Sequence, residues 1–218
     1  MSGFSGIPLD ALDFYEQLGA ENTRTWWQAN KERYATSVRV PLEGLLDALE
    51  DEFGPAHLYR ANRDVRFSKD KSPYKDHQGA LATTVPGMGY YVQVNADGLM
   101  TGGGFYPTGP DQLPRLRAAV DAPRPGQELQ QVVDRLTAAG FELGGDQVAT
   151  RPRGVPADHP RLELMRFKNL IARREHGAPP WLSSPEVVDH VRADWRAVRP
   201  LVAWLTEHVG ATTEPRTR

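Results

Sequence analysis

Apolar residues recur along this chain in two rhythms, and each change of rhythm predicts a change of element. Leu9, Leu12, Tyr15 and Leu18 stand at helical spacing, with Gly19 suited to a left-handed C-terminal cap. Asn22 or Thr23 is then placed to cap a second helix that carries Trp26, Trp27, Asn30 and Tyr34. Val38, Leu42, Leu45, Leu46, Leu49 and Phe53 form the clearest amphipathic stripe of the chain. Gly54 and Pro55 end it, and Pro41 is tolerable only in its first turn.

From Gln78 the period shortens to two. The runs 78–85, 90–95 and 99–106 are separated by Pro86-Gly87-Met88-Gly89 and by Asn95-Ala96-Asp97-Gly98, both turn compositions, so an antiparallel meander is expected. Tyr90, Val92 and Val94 alternate with Tyr91, Gln93 and Asn95, which leaves one face for helices and one wetter face. Helical spacing returns with Leu113, Leu116 and Val120, and again with Leu129, Val132, Val133 and Leu136. A hairpin through Gly144-Gly145-Asp146, a helical turn at 162–167, a strand at 169–174 and a helix over 185–209 bent at Pro200 complete the expected order. Helices segregated from an antiparallel meander predict an α+β fold, a sheet packed by helices. One compact domain over 1–210 is expected, with a polar, frayed tail at 211–218.

The chain has 218 residues and no cysteine, which removes disulfide frameworks, cysteine-ligated zinc, iron–sulfur clusters and thiol nucleophiles. A chain of this length needs no such staple, because about 70% of its unfolded surface becomes buried on folding. The start MSGFSGIPLDAL carries neither a basic segment nor an apolar run of signal-peptide length, and no stretch approaches the length of a membrane span. A cytoplasmic location and no membrane partner are expected.

Charge changes the picture locally. The net charge is −2, yet Arg60 to His77 holds six cations (Arg60, Arg63, Arg66, Lys69, Lys71, Lys75) against Asp64, Asp70 and Asp76. Ser68, Ser72, Tyr74 and His77 add donors suited to phosphate or carboxylate oxygens, and Pro73 favours an ordered turn. The leading expectation is a site for a phosphate-bearing or otherwise anionic small molecule. Its residues are Arg63, Arg66, Ser68, Lys69, Lys71, Tyr74, Lys75 and His77, with Gly102, Gly103 and Gly104 as floor. A competing expectation is a nucleic-acid-binding module in which the loop grips phosphates while Phe67, Tyr74 or Trp27 stacks a base. A third is a structural or protein-interaction domain whose loop charges neutralise one another as a salt-bridge lattice.

The glycine run lacks P-loop and dinucleotide-fold spacing, and close strand packing explains it equally. Asp158-His159-Pro160 with Arg166, Lys168, Arg173 and Arg174 offers further cations, or merely a capped turn and a solvated strand edge. The six histidines show no metal-binding spacing and no serine stands in a nucleophile elbow. No metal is therefore expected, and the sequence specifies no catalytic residue, cofactor or oligomeric state. A metal-assisted hydrolase built on Asp64, Asp76 and His77 is a distant alternative.

Four segments carry a family resemblance: FYEQLGAENTRTWWQANKERY, RDVRFSKDKSPYKDH, GYYVQV followed by GGGFY, and DHPRLELMRFKNLIARR. Together they resemble the domain-of-unknown-function 2461 family of conserved hypothetical proteins, over roughly Leu9 to Val209. The resemblance implies a single compact cytoplasmic α+β domain and assigns no reaction.

Overall fold

Helix α1 (Asp10–Ala20) buries Ala11, Leu12, Phe14, Tyr15 and Leu18, the face its periodicity marks as apolar. The computed structural model describes residues 4–66 and 69–214. Thr23 caps α2 (Arg24–Arg33): its hydroxyl accepts from the Trp26 amide at 3.1 Å, satisfying one of the free donors of the first turn. The second helix and the apolar stripe do not separate. Tyr34–Arg39 continues α2 as a π turn that runs on into α3 (Val40–Asp47). Pro41 lies at the seam, where its missing N–H interrupts the ladder, so the widened turn falls where an α-helix would lose a bond. A short α4 (Glu50–Phe53) ends at Gly54, whose φ of 79° lies in the region that favours glycine.

The meander forms as its turns predict, from β2 (His77–Val85), β3 (Met88–Asn95) and β4 (Gly98–Phe105). Two strands extend it in ways the pattern does not reveal. Ala56–Leu58 forms β1, antiparallel to β2 with His57 opposite Leu81. The segment expected to close a local hairpin at Gly144-Gly145 supplies β5 (Glu142–Gly144), which pairs instead with the distant β6 (Leu170–Gly177), Leu143 opposite Ala172. The antiparallel sheet has the order β1-β2-β3-β4-β6-β5. The remaining helices are α5 (Gln112–Asp121), α6 (Pro123–Ala138), α7 (Leu162–Arg166) and α8 (Val187–His208), with Pro200 inside α8 and a 3-10 turn at Pro180–Ser183. Helices beside an antiparallel sheet make this an α+β fold, as the alternation of rhythms predicts.

Contacts divide the chain into two units, each discontinuous in sequence. The first comprises residues 1–82, 91–101 and 175–193. Its helical core holds Leu18, Leu42, Leu45, Leu49 and Phe53. Its aromatic centre is Phe14, 5.2 Å from the ring of Tyr15 and 5.7 Å from that of Trp27. The second comprises 83–90, 102–174 and 194–218. It is built around Phe105, Leu116, Leu129, Leu136, Leu170, Leu201 and Leu205, with Trp195 fully buried against Tyr90. In this unit Asp194 is 4% exposed and bonded to Arg174 at 2.6 Å, the guanidinium also lying over the Phe141 ring. Of the segment expected to fray, Thr212 and Thr213 bond to the Asp111 carboxylate, while 215–218 lie outside the described residues. No helix among the described residues is long and apolar enough to cross a membrane.

Candidate functional site

The basic segment is an excursion between β1 and β2, in the first unit, whose two arms are tied together at their base. The Arg63 amide donates to the Pro73 carbonyl at 2.9 Å and the Lys75 amide to the Ala61 carbonyl at 2.8 Å, with Asn62 bridged to Tyr74. Tyr74 is the anchor. Its ring is buried and lies parallel to Trp27 at 4.1 Å, and the Asn22 amide grips its backbone on both sides, at 3.0 and 3.2 Å. The rings of Trp27 and Tyr74, considered above as platforms for a base, therefore stack on each other. Phe67 and Ser68 lie outside the described residues.

Beyond this anchor most of the charge is matched locally. Arg63 pairs with Asp70, and Arg66 pairs with Asp64 at 2.7 Å. Ser72 donates to Asp70 through its amide and its hydroxyl, and the Lys71 ammonium donates to the Val65 carbonyl at 3.0 Å. His77 Nδ1 bonds to Asp76 at 2.8 Å. Three of the expected anion-binding groups, Arg63, Arg66 and His77, thus face their own aspartates. This is the arrangement the salt-bridge lattice calls for.

The carboxylates register it. Bonds from the Arg66 side chain and backbone hold Asp64 at about 2, and bonds from Ser72 and Arg63 hold Asp70 at about 2. Since both folded values lie below the unfolded value of about 3.9, ionisation favours the ordered tip above pH about 4, and that contribution is lost as pH falls toward 2. We expect carbon-13 NMR titration of the two carboxyl groups to give midpoints near 2; midpoints near 4 would show that the tip pairs do not form in solution.

A second set of cations behaves differently. Among the described residues neither Arg60 nor Lys75 has a carboxylate within ion-pair distance. The Lys75 ammonium sits 5.2 Å from the centre of the Tyr59 ring. Partial burial lowers its pKa, and the positive charge of Arg60 lowers it further. Neither cation is thus neutralised by a direct carboxylate contact among the described residues, and the charge of Arg60 acts on Asp64 as well as on Lys75. Lys69 is exposed at the tip. Arg60 and Tyr59 are absent from the sequence-derived site, since Arg60 read only as one charge among six.

At the foot of the loop is a polar cluster that periodicity hides inside an apolar strand. Gln78 is 1% exposed. Its amide oxygen accepts from the Tyr34 hydroxyl at 2.6 Å, and its nitrogen donates to the carbonyls of Tyr59 at 2.7 Å and Gly79 at 3.0 Å. The neighbouring Gly79 has no side chain because the Tyr91 ring occupies that space. The one signal in the sequence was a glutamine directly before an apolar strand.

Gly102, Gly103 and Gly104 belong to the second unit and the loop to the first. Each glycine is accounted for by strand packing. A Cβ at Gly102 would run into the Ala172 carbonyl, one at Gly103 would come within 2.8 Å of the Gly89 carbonyl, and one at Gly104 within 2.8 Å of Ile171 Cα. The arginines of the 158–174 segment are likewise engaged within the second unit, while Lys168 is exposed. Arg161 donates to the Val120 and Asp121 carbonyls at the end of α5, while His159 bonds to Asp121 and accepts from the Arg161 amide. Arg166, Arg173 and Arg174 pair with Glu163, Glu142 and Asp194.

An antiparallel sheet flanked by helices, with a charged excursion before its second strand, defines the class as α+β with a loop-borne candidate site. The chain belongs to the conserved hypothetical protein family DUF2461, whose family model matches residues 10–204. No curated protein matches the sequence.

Proposed function

We propose that this chain is a cytoplasmic protein that binds a phosphate-bearing or other anionic small molecule through its basic loop, with Arg60 and Lys75 as the principal grip. The observation that carries this reading is that, among the described residues, neither Arg60 nor Lys75 has a carboxylate at ion-pair distance. Two cations whose charges oppose each other and that lack a direct carboxylate partner gain from a shared anion, whereas Arg63 and Arg66 at the loop tip each have one already. A guanidinium clamps a phosphate through two parallel N–H bonds, the ammonium adds a point charge, and the Tyr59 ring screens that charge from water on one side. Lys69 and Lys71, at the rim, add to the field that draws an anion in. Arg63, Arg66 and His77 act in this reading as scaffold rather than as ligands.

Inorganic phosphate tests it. At a hundred times Kd a bound ligand adds about 2.7 kcal/mol of stability, so the melting temperature should rise by several degrees in the wild type. The rise should vanish in Arg60→Ala/Lys75→Ala and persist in Arg66→Ala. A wild-type melting temperature indifferent to phosphate would overturn the reading. The loop would then be the internally neutralised lattice of a structural or interaction domain, which the tip pairs already resemble.

A further inference from the structure

Aromatic rings gather where β1 runs into the basic loop. Ala56 and Leu58 stand opposite the buried Ala82 and Ala80, so the alternate positions His57 and Tyr59 fall on the other face of the sheet. His57 is opposite Leu81, and the Tyr59 amide continues the pairing by donating to the Gly79 carbonyl at 3.0 Å. The His57 and Tyr59 rings meet edge to face at 5.0 Å. The Tyr91 ring lies 6.4 Å from that of Tyr59, in the space that Gly79 leaves by having no side chain. This is surface rather than core. Tyr59 is 37% exposed, His57 is exposed and Tyr91 is half-buried, and all three belong to the first unit.

The rings adjoin the cations of the grip. The Lys75 ammonium is 5.2 Å from the centre of the Tyr59 ring, and Arg60 follows Tyr59 directly in the chain. Since the Lys75 amide donates to the Ala61 carbonyl at 2.8 Å, the two arms of the loop bring these positions together through backbone pairing. A single exposed tyrosine would call for no explanation. Three rings in contact, beside two cations without a direct carboxylate partner among the described residues, restrict the ligand further. An inorganic anion would use the cations and leave the rings in water. A nucleotide uses both, its phosphate on the cations and its flat base on aromatic surface, which every base can stack against.

We infer that Tyr59, flanked by His57 and Tyr91, is a base-stacking platform beside the Arg60–Lys75 grip, and that the ligand is a mononucleotide. The inference rests on the anion-binding reading above and adds the chemistry of the ligand's other end.

The test compares inorganic phosphate, ribose 5-phosphate and adenosine 5′-monophosphate by calorimetric titration of the wild type, Tyr59→Leu and Tyr59→Phe. The wild type should bind the nucleotide about tenfold more tightly than ribose 5-phosphate, toward the lower end of what a stacked base contributes. Tyr59→Leu should bind the two alike, and Tyr59→Phe, which keeps the ring, should keep the preference. Because Tyr59 is exposed, unliganded Tyr59→Leu should melt within about 2 °C of the wild type, which separates a lost platform from a lost fold. If the phosphate compounds bind but the nucleotide binds no better than ribose 5-phosphate, the platform is refuted while the anion grip stands. A nucleotide preference that survives in Tyr59→Leu refutes it too, since the base would then lie elsewhere. A single-stranded oligonucleotide that binds where the mononucleotide does not would overturn the choice of ligand. If none of the phosphate compounds binds, the anion reading falls and this inference with it.

Discussion

Gly104→Ala should unfold this protein far more readily than it affects any ligand. Gly104 has a φ of 152°, and a methyl there would be driven into the Leu170 carbonyl and within 2.8 Å of Ile171 Cα, both backbone atoms of β6. Neither can turn aside as a side chain would, so strands β4 and β6 must part or the ladder must break. A loss of about 3 kcal/mol is expected, which for a chain of this size is a fall of roughly 6–12 °C in melting temperature. Phosphate affinity, measured well below the transition, should match the wild type. The opposite outcome, near-normal stability with phosphate binding lost, would restore the glycine run as the floor of an anion site.

Tyr74→Ala should have the second large effect and should reach function. Tyr74 is 5% exposed and stacked on Trp27, and it is the residue through which the whole basic excursion is attached to α2. Truncating a buried aromatic side chain costs about 3–5 kcal/mol. Much of that loss should appear as local opening, because the Arg63 and Lys75 amides are protected only by the bonds at the base of the loop. Hydrogen exchange at these two amides should rise sharply, and the response to phosphate should disappear with the geometry of Lys75. Tyr74→Phe keeps the ring and should stay within about 1 kcal/mol of the wild type, since the energy lies in burial and stacking. If Tyr74→Ala melts like the wild type and still responds to phosphate, the loop is held by something other than this stack.

The elements were legible wherever local physics decides them. The helical spacing of Leu12, Tyr15 and Leu18, the Thr23 cap and the turns at Pro86–Gly89 and Asn95–Gly98 correspond to α1, the start of α2 and the β2–β3–β4 meander. The π turn was not legible, because Tyr34–Arg39 keeps the composition of a helix and only the effect of Pro41 on the ladder distinguishes it. Strand β5 was misassigned to a local hairpin. Its Gly-rich turn looked self-sufficient, but the partner that satisfies its backbone is Ile171–Arg173, almost thirty residues on.

The candidate site divides in the same way. The density of charge between Arg60 and His77 was visible, but the role of each charge was not. Arg63 and Arg60 are chemically identical in the sequence, yet one pairs with Asp70 and the other has no carboxylate at ion-pair distance among the described residues.

By itself, then, the sequence determined the α+β class, the order of most elements, the family and the location of the one strongly basic segment. These follow from periodicity, turn chemistry and composition, which act over a few neighbouring residues. The tertiary structure decided which strands flank the meander and which cations are neutralised by carboxylates among the described residues. Such outcomes depend on the distance between groups far apart in the chain, and that distance exists only once the chain has folded.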